Sequence, residues 1–109
     1  MPIRESQVFN ALAIRDTSNH FSDAADSFDA TLKTILIENG LNQTVTFQLE
    51  GSRDEAFTKP INVGNTFDVA TNINTYQVIS DYFPYLRLKA SCLTAPTTGT
   101  LSCYFEAGK

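Results

Sequence analysis

Strict period-two alternation between residues 85 and 106 constrains this chain more than any other feature. Leu86, Leu88, Ala90 and Cys92 fall on one side of an extended backbone, with Tyr85, Arg87, Lys89 and Ser91 on the other. After residues 94–99, which hold Pro96 and Gly99, Leu101, Cys103 and Phe105 alternate with Thr100, Ser102, Tyr104 and Glu106. Successive side chains of a strand point to opposite faces, so one apolar and one polar row mark strands that cover a core on one side. The pattern predicts two antiparallel strands joined by a Pro- and Gly-bearing turn, a closing hairpin.

The rest of the chain repeats the theme in shorter pieces. Residues 1–7 carry no periodicity and read as an N-terminal arm, flexible or bound to a partner. Residues 8–15 read as a first strand, with Leu12 and Ile14 on its apolar face, and 16–26 as a polar loop. A strand is expected over 27–38, with Phe28, Ala30, Leu32 and Leu36 sharing a face and Ile35 and Ile37 on the other. Asn39-Gly40 signals a turn, because glycine takes positive φ without steric cost. Residues 44–50 alternate again, Val45, Phe47 and Leu49 inward and Thr46, Gln48 and Glu50 outward. A charged loop, 51–59, precedes short strands at 60–64 and 66–70, split by Gly64-Asn65, and another at 75–80 with Tyr76 and Val78 on one side. Seven or eight short strands without an amphipathic helix predict one all-β domain over residues 1–109, an antiparallel β-sandwich of jelly-roll or immunoglobulin-like type.

Composition narrows the function classes. Only 18% of the 109 residues are charged, and Thr, Asn and Ser fill the outward positions. Such surfaces suit contact with neighbours, because burying a hydroxyl costs less than burying an ion. A net charge of −4 argues against nonspecific nucleic-acid binding, which needs a basic footprint. No stretch has the length of a membrane-spanning helix and the first residues lack a signal-peptide core, so a cytoplasmic product, or one released by lysis rather than secretion, is expected. Two cysteines are too few for a disulfide framework or a structural zinc site. With the closing turn centred on Thr97-Thr98 they fall opposite each other. Two buried thiols are the favoured reading there, and a cross-strand disulfide is the alternative.

Chemistry-bearing residues are sparse. Asp23, Asp26 and Asp29 recur every third residue but lack the convergent oxygens and turn of a calcium loop, and read as turn and capping residues. His20, the sole histidine, has Asp16, Ser18 and Asp23 nearby. A triad is defined by geometry rather than letters, so the histidine reads as solvated or at a contact. Asn42-Gln43-Thr44 has the form of a glycosylation acceptor and reads as a turn exit. The aromatic group Tyr76, Tyr82, Phe83, Tyr85 and Tyr104 carries more weight. Phe83 and Tyr82 read as closing the end of the core, with Tyr85 and Tyr104 a cross-strand pair. A protein interface formed by Tyr76, Tyr82, Tyr85, Arg87 and Tyr104 is the second reading, and a sugar-stacking platform the third. No catalytic, cofactor or metal constellation is found, and a non-enzymatic protein is expected.

Three segments carry a family resemblance: Thr-Val-Thr-Phe-Gln-Leu-Glu-Gly-Ser at 44–52, Asp-Tyr-Phe-Pro-Tyr-Leu-Arg-Leu-Lys-Ala at 81–90 and Ala-Pro-Thr-Thr-Gly-Thr-Leu at 95–101. Together they resemble small β-sandwich virion structural proteins of phages, of the capsid decoration (cement) or tail accessory type, over the chain from Thr31 onward. The resemblance implies a virion structural protein, most simply a capsid decoration subunit that binds phage capsid or tail proteins and forms a homo-oligomer. It brings no cofactor and no membrane or nucleic-acid partner. The alternative is a carbohydrate-binding or host-receptor-binding sandwich module on a tail or cell surface.

Overall fold

A computed structural model describes residues 3–26, 32–79 and 83–108. They form nine strand segments: β1 (Ile3–Leu12), β2 (His20–Phe21), β3 (Ala25–Asp26), β4 (Leu32–Asn39), β5 (Val45–Ser52), β6 (Ile61–Val69), β7 (Asn74–Ile79), β8 (Tyr85–Ser91) and β9 (Leu101–Gly108). A front sheet has the order β1-β9-β4-β7, and a back sheet the order β2-β8-β5-β6. β3 continues β2 along the same edge of β8, so each sheet has four positions. All pairings are antiparallel.

Apart from β2–β3, only the β5–β6 connection stays within a sheet; every other one crosses between them. This double winding is the jelly-roll arrangement, and it decides between the two sandwich types. An immunoglobulin-like sandwich keeps its last two strands in one sheet. Here β8 and β9 lie in opposite sheets, so the expected closing hairpin does not form. Alternation alone cannot separate these cases, because two strands that share a core show the same pattern whether they pair side by side or face each other across it. The segment after β8 is the crossover.

Both inner faces meet in one core. The front sheet supplies Val8, Phe9, Ile35, Ile37, Leu101, Cys103 and Phe105, and the back sheet Val45, Phe47, Leu49, Leu86, Leu88 and Ala90. At about 25 cal/mol per Å² of apolar surface buried, such a double layer is the dominant favourable term in folding. Phe83 packs on the core's end, its ring over Gly51, where an added Cβ would come within 2.5 Å of it. Core closure by Phe83 therefore holds, and Tyr82 lies outside the described residues.

Several local expectations change. Residues 3–7 are not an arm: they belong to β1 and pair with β9 from Ile3↔Gly108 to Gln7↔Tyr104. The inward row of β4 is Lys33, Ile35, Ile37 and Asn39, so Leu36 faces out; Phe28 and Ala30, named with it, are outside the described residues. The two short strands around Gly64 are one strand with a bulge. Between the pairs Phe47↔Phe67 and Leu49↔Val63, Gln48 faces three residues of β6, with Gly64 at φ 72°. The buried Gln48 amide donates to the carbonyls of Leu49, Val63 and Gly64 at 2.9, 3.3 and 3.3 Å, satisfying groups that the bulge releases from the ladder.

The turn after β4 forms without a positive φ at Gly40, whose lack of a side chain instead makes room for the Thr100 carbonyl, and it is fixed by Asn39. Its buried side chain donates to the carbonyls of Gln43, Val69 and Ala70 and accepts from the Leu41 amide at 3.0 Å. Asn42 staples the same turn to the β8–β9 crossover, donating to Thr97 Oγ1 at 2.8 Å and accepting from the Thr97 amide at 2.9 Å. Gly99 (φ 89°) touches Gly40 so closely that an added Cβ would lie 1.8 Å from its carbonyl oxygen. The turn-exit reading of Asn42 therefore gains a structural cause.

Candidate interaction surfaces

Four of the five candidate interface residues are described, and they divide between opposite sides of the sandwich; Tyr82 lies outside the described residues. Residues paired across strands share a face, so the registers Tyr76↔Leu36 and Leu36↔Tyr104 set these three side chains in one row on the outside of the front sheet. Gln7 extends the row across β1 and donates from Nε2 to the Tyr104 hydroxyl at 3.3 Å. The next row holds Val78, Thr34 and Glu106, and on the other side lie Asn74, Glu38 and Ser102. Tyr76 is 62% and Val78 70% exposed, while Leu36 and Tyr104 are half-buried among their neighbours. A shallow depression of about 350 Å³ lies between Leu36, Glu38, Asn74, Thr75 and Tyr104. This surface is broad, aromatic at its centre and acidic at its margins.

Tyr85 and Arg87 lie on the outside of the back sheet, so Tyr85 and Tyr104 are not a cross-strand pair; Tyr85 stands opposite Ser52 and Asp26 instead. The outward positions of β5 next to them are covered. Gln48, Glu50 and Ser52 are buried although their parity points them away from the core. Gln48 is enclosed by the β6 bulge to which it bonds, and the cover of Glu50 and Ser52 is a lid formed by the β5–β6 loop. Arg87 is held between two rings, its guanidinium carbon 4.3 Å from the centroids of both Phe21 and Phe57, and its Nε donates to Glu50 Oε1 at 2.7 Å. A cation between two aromatic faces and over a carboxylate is favoured electrostatically on every side. Arg87 thus serves this fold from within rather than waiting free on its surface.

Asp54 organises the lid. Its carboxylate accepts from Ser52 Oγ at 2.7 Å and from Thr58 Oγ1 at 2.5 Å, and its carbonyl accepts from the Phe57 amide at 3.1 Å. The hydrogen bonds from Thr58 and then Ser52 hold the Asp54 carboxyl below the usual aspartate value. This geometry carries Phe57 at φ 53°, a left-handed conformation unusual for a bulky residue, and turns its ring under the loop. The sequence signal for this lid is a lone phenylalanine, Phe57, within a charged loop, and Phe21 gives a similar one in the polar loop 16–26.

Around His20 the hydrogen bonds run the wrong way for nucleophilic catalysis. Asp16 Oδ1 accepts from Ser18 Oγ at 2.9 Å and lies 2.8 Å from His20 Nε2, so the carboxylate sits between histidine and serine. A triad needs the imidazole between the other two. The hydrogen bond from His20, followed by that from Ser18, lowers the Asp16 carboxyl. Among the described residues no group of three or more His, Cys, Asp or Glu could hold a metal ion. Asp29 is outside the described residues.

Cys92 and Cys103 are free and buried. Cys103 lies in the front sheet, opposite Phe9 and Ile37, and Cys92 follows the last residue of β8 in the back sheet, so the register that set them opposite each other does not exist. Burial pushes the Cys103 thiol up to about 12 and raises Cys92 as well, which makes both poor nucleophiles.

No protein-family model matches the sequence, and no curated protein matches it. Solved structures do share the fold. The PBSX exported protein XepA superposes with a TM-score of 0.71 at 14% identity, over 96% of this chain and 37% of that one. PirA gives a TM-score of 0.57 at 12% identity, over 97% and 93% of the two chains. A chain in the structure of infectious bursal disease virus gives 0.52 at 7% identity, over 97% of this chain and 31% of that one. The chain therefore spans little more than a third of the XepA chain, and at such identities the likeness is one of fold.

Proposed function

We propose that this protein is a non-enzymatic structural subunit of a virus particle, most simply a capsid decoration protein that binds neighbouring capsid subunits. The observation that carries this reading is the front face itself: a row of Tyr76, Leu36 and Tyr104 on a regular sheet, open to its surroundings. Broad surfaces of this kind, with tyrosine at the centre and polar groups around it, suit protein contact. The jelly roll shared with an exported PBSX protein and with a chain of a virus structure supports the viral setting, as does the phage-like wording of residues 44–52 and 81–90.

On this reading Tyr76 and Tyr104 make the contact, Tyr85 contributes at most from the far side, and Arg87 acts by holding the lid. The test is to add purified protein to phage particles prepared without it and measure co-sedimentation. Binding is expected, with a loss of at least tenfold in Tyr76→Ala/Tyr104→Ala. Protein that ignores such particles at every concentration sinks the idea.

A second reading has one observation in its favour. The depression beside Tyr104 brings an aromatic ring, the Glu38 carboxylate and the Asn74 amide together, which are groups that suit a sugar. A glycan-array signal that disappears in Tyr104→Ala, with particle binding absent, would replace the first reading with this one.

A further inference from the structure

The sandwich has four edge strands, and three of them are interrupted. β1 shifts register between Gln7 and Phe9 and again between Phe9 and Leu12, with Ala11 at φ 48°. The back sheet ends on one side in the two dipeptides β2 and β3, and on the other in β6 with its Gly64 bulge. β7 differs from all of these. It pairs with β4 in unbroken register from Lys33↔Ile79 to Glu38↔Asn74, and its sequence Asn-Thr-Tyr-Gln-Val-Ile contains no charge, proline or glycine.

Exposed edges present unpaired backbone donors and acceptors, and natural proteins blunt them with bulges, short strands, charge or proline. An edge left straight, neutral and β-prone is suited to pair. The same side of the molecule exposes apolar surface beyond the strand. Tyr76 and Val78 stand out from it, and a crevice of about 150 Å³ opens between β6 and β7, lined by Ile35, Leu49, Val63, Phe67, Val78 and Leu88.

We propose that β7 is a homodimerisation edge, where two copies pair β7 with β7 antiparallel about a two-fold axis at Gln77. The two four-stranded front sheets then become one continuous eight-stranded sheet. The argument for a second copy is self-complementarity. Centring on Gln77 sets Tyr76 of each copy directly opposite Val78 of the other, an aromatic–β-branched pair formed twice on the outer face. Centring one residue earlier would face Tyr76 with itself and spend Val78 on Asn74. With no charge on the strand, no like-charged pair falls opposite in either register. Stacking two front faces would instead bring the copies of Glu38 and Glu106 together. An isologous edge contact also closes at two copies, and each surface is used once.

This inference is separate from the particle reading, since the dimer would form from purified protein alone. Sedimentation velocity is expected to give twice the 12.0 kDa chain mass. Val78→Lys, at a 70% exposed position that should tolerate it, is expected to give a folded monomer whose unfolding midpoint no longer rises with protein concentration, as the wild type's does. Gln77→Cys is expected to give a disulfide-linked dimer under mild oxidation, and Gln7→Cys on the β1 edge none. A wild-type monomer up to millimolar concentration overturns the proposal. So does a dimer that survives Val78→Lys, crosslinking by Gln7→Cys in place of Gln77→Cys, or growth into open-ended assemblies. A dimer that ignores particles would leave this inference standing and remove the other.

Discussion

The outer faces of the two sheets begin from the same kind of sequence and end in opposite conditions. Both alternate polar with apolar residues, and both turn tyrosines and long side chains outward. On the front sheet the outward row Tyr76–Leu36–Tyr104 stays open to its surroundings. On the back sheet the outward residues Gln48, Glu50 and Ser52 are buried, Gln48 against the β6 bulge and the other two where the β5–β6 loop folds over and Phe57 clamps Arg87 against Phe21. Strand parity sets the direction of a side chain, and the neighbouring loop sets whether it meets solvent. The row Tyr76–Leu36–Tyr104 is therefore uncovered where its counterpart on β5 is not.

The comparison breaks most severely if Arg87 is removed. Arg87→Ala leaves Glu50, whose side chain is 8% exposed, buried without its cation, and should cost about 3 kcal/mol in urea unfolding. Arg87→Met with Glu50→Leu should lose much less than Arg87→Ala alone, because no uncompensated charge remains. Equal losses in the two variants would show that the stacking, and not the ion pair, closes the back face.

Phe57→Ala comes next. It removes one face of the clamp and should cost about 2 kcal/mol, less than a fully enclosed core phenylalanine. Limited proteolysis should then cut within residues 53–60 in the folded state. Resistance there would mean that Asp54 holds the loop without the ring.

Asp54→Asn is expected to act through pH. The folded-state carboxyl is depressed, so its stabilisation is present above the ordinary value of 3.8 and is lost as pH falls through the lower folded value. Below that window wild type and Asp54→Asn should converge, whereas at neutral pH wild type should unfold at the higher urea concentration. The smallest effect on stability belongs to the front face. Tyr76→Ala should change unfolding by less than about 0.5 kcal/mol, because the ring gains little from its own fold, while particle binding falls. A large loss of stability there would make the two faces alike.

Much of the architecture was legible because burial writes itself as period two. Leu86, Leu88 and Ala90 were read as inward, and so were Leu101, Cys103 and Phe105, and all are buried. The sheet to which each strand belongs was not legible, since β8 and β9 would carry the same alternation in a hairpin or across the core. Leu36 misled for a related reason. In β4 both faces offer apolar residues, and the buried Lys33 and Asn39 disguise the inward row. Tyr76 and Tyr104 were singled out from their letters, but their meeting around Leu36 needs a register between strands far apart in the chain. The lid was invisible as such, because cation–ring contacts between Phe21, Phe57 and Arg87 join three separate segments.

The place of β9 has a consequence for how the chain comes to be folded. β9 lies between β1 and β4, yet it is synthesised after both, so the front sheet has a gap at its middle until the last strand arrives. A nascent chain that has reached β8 holds two strands whose common neighbour does not yet exist. Such long-range closure slows folding and leaves unpaired edges exposed in the meantime. The nascent protein is thus expected to depend on chaperones until β9 clears the ribosome, and to acquire protease resistance in the front sheet in one step at that point.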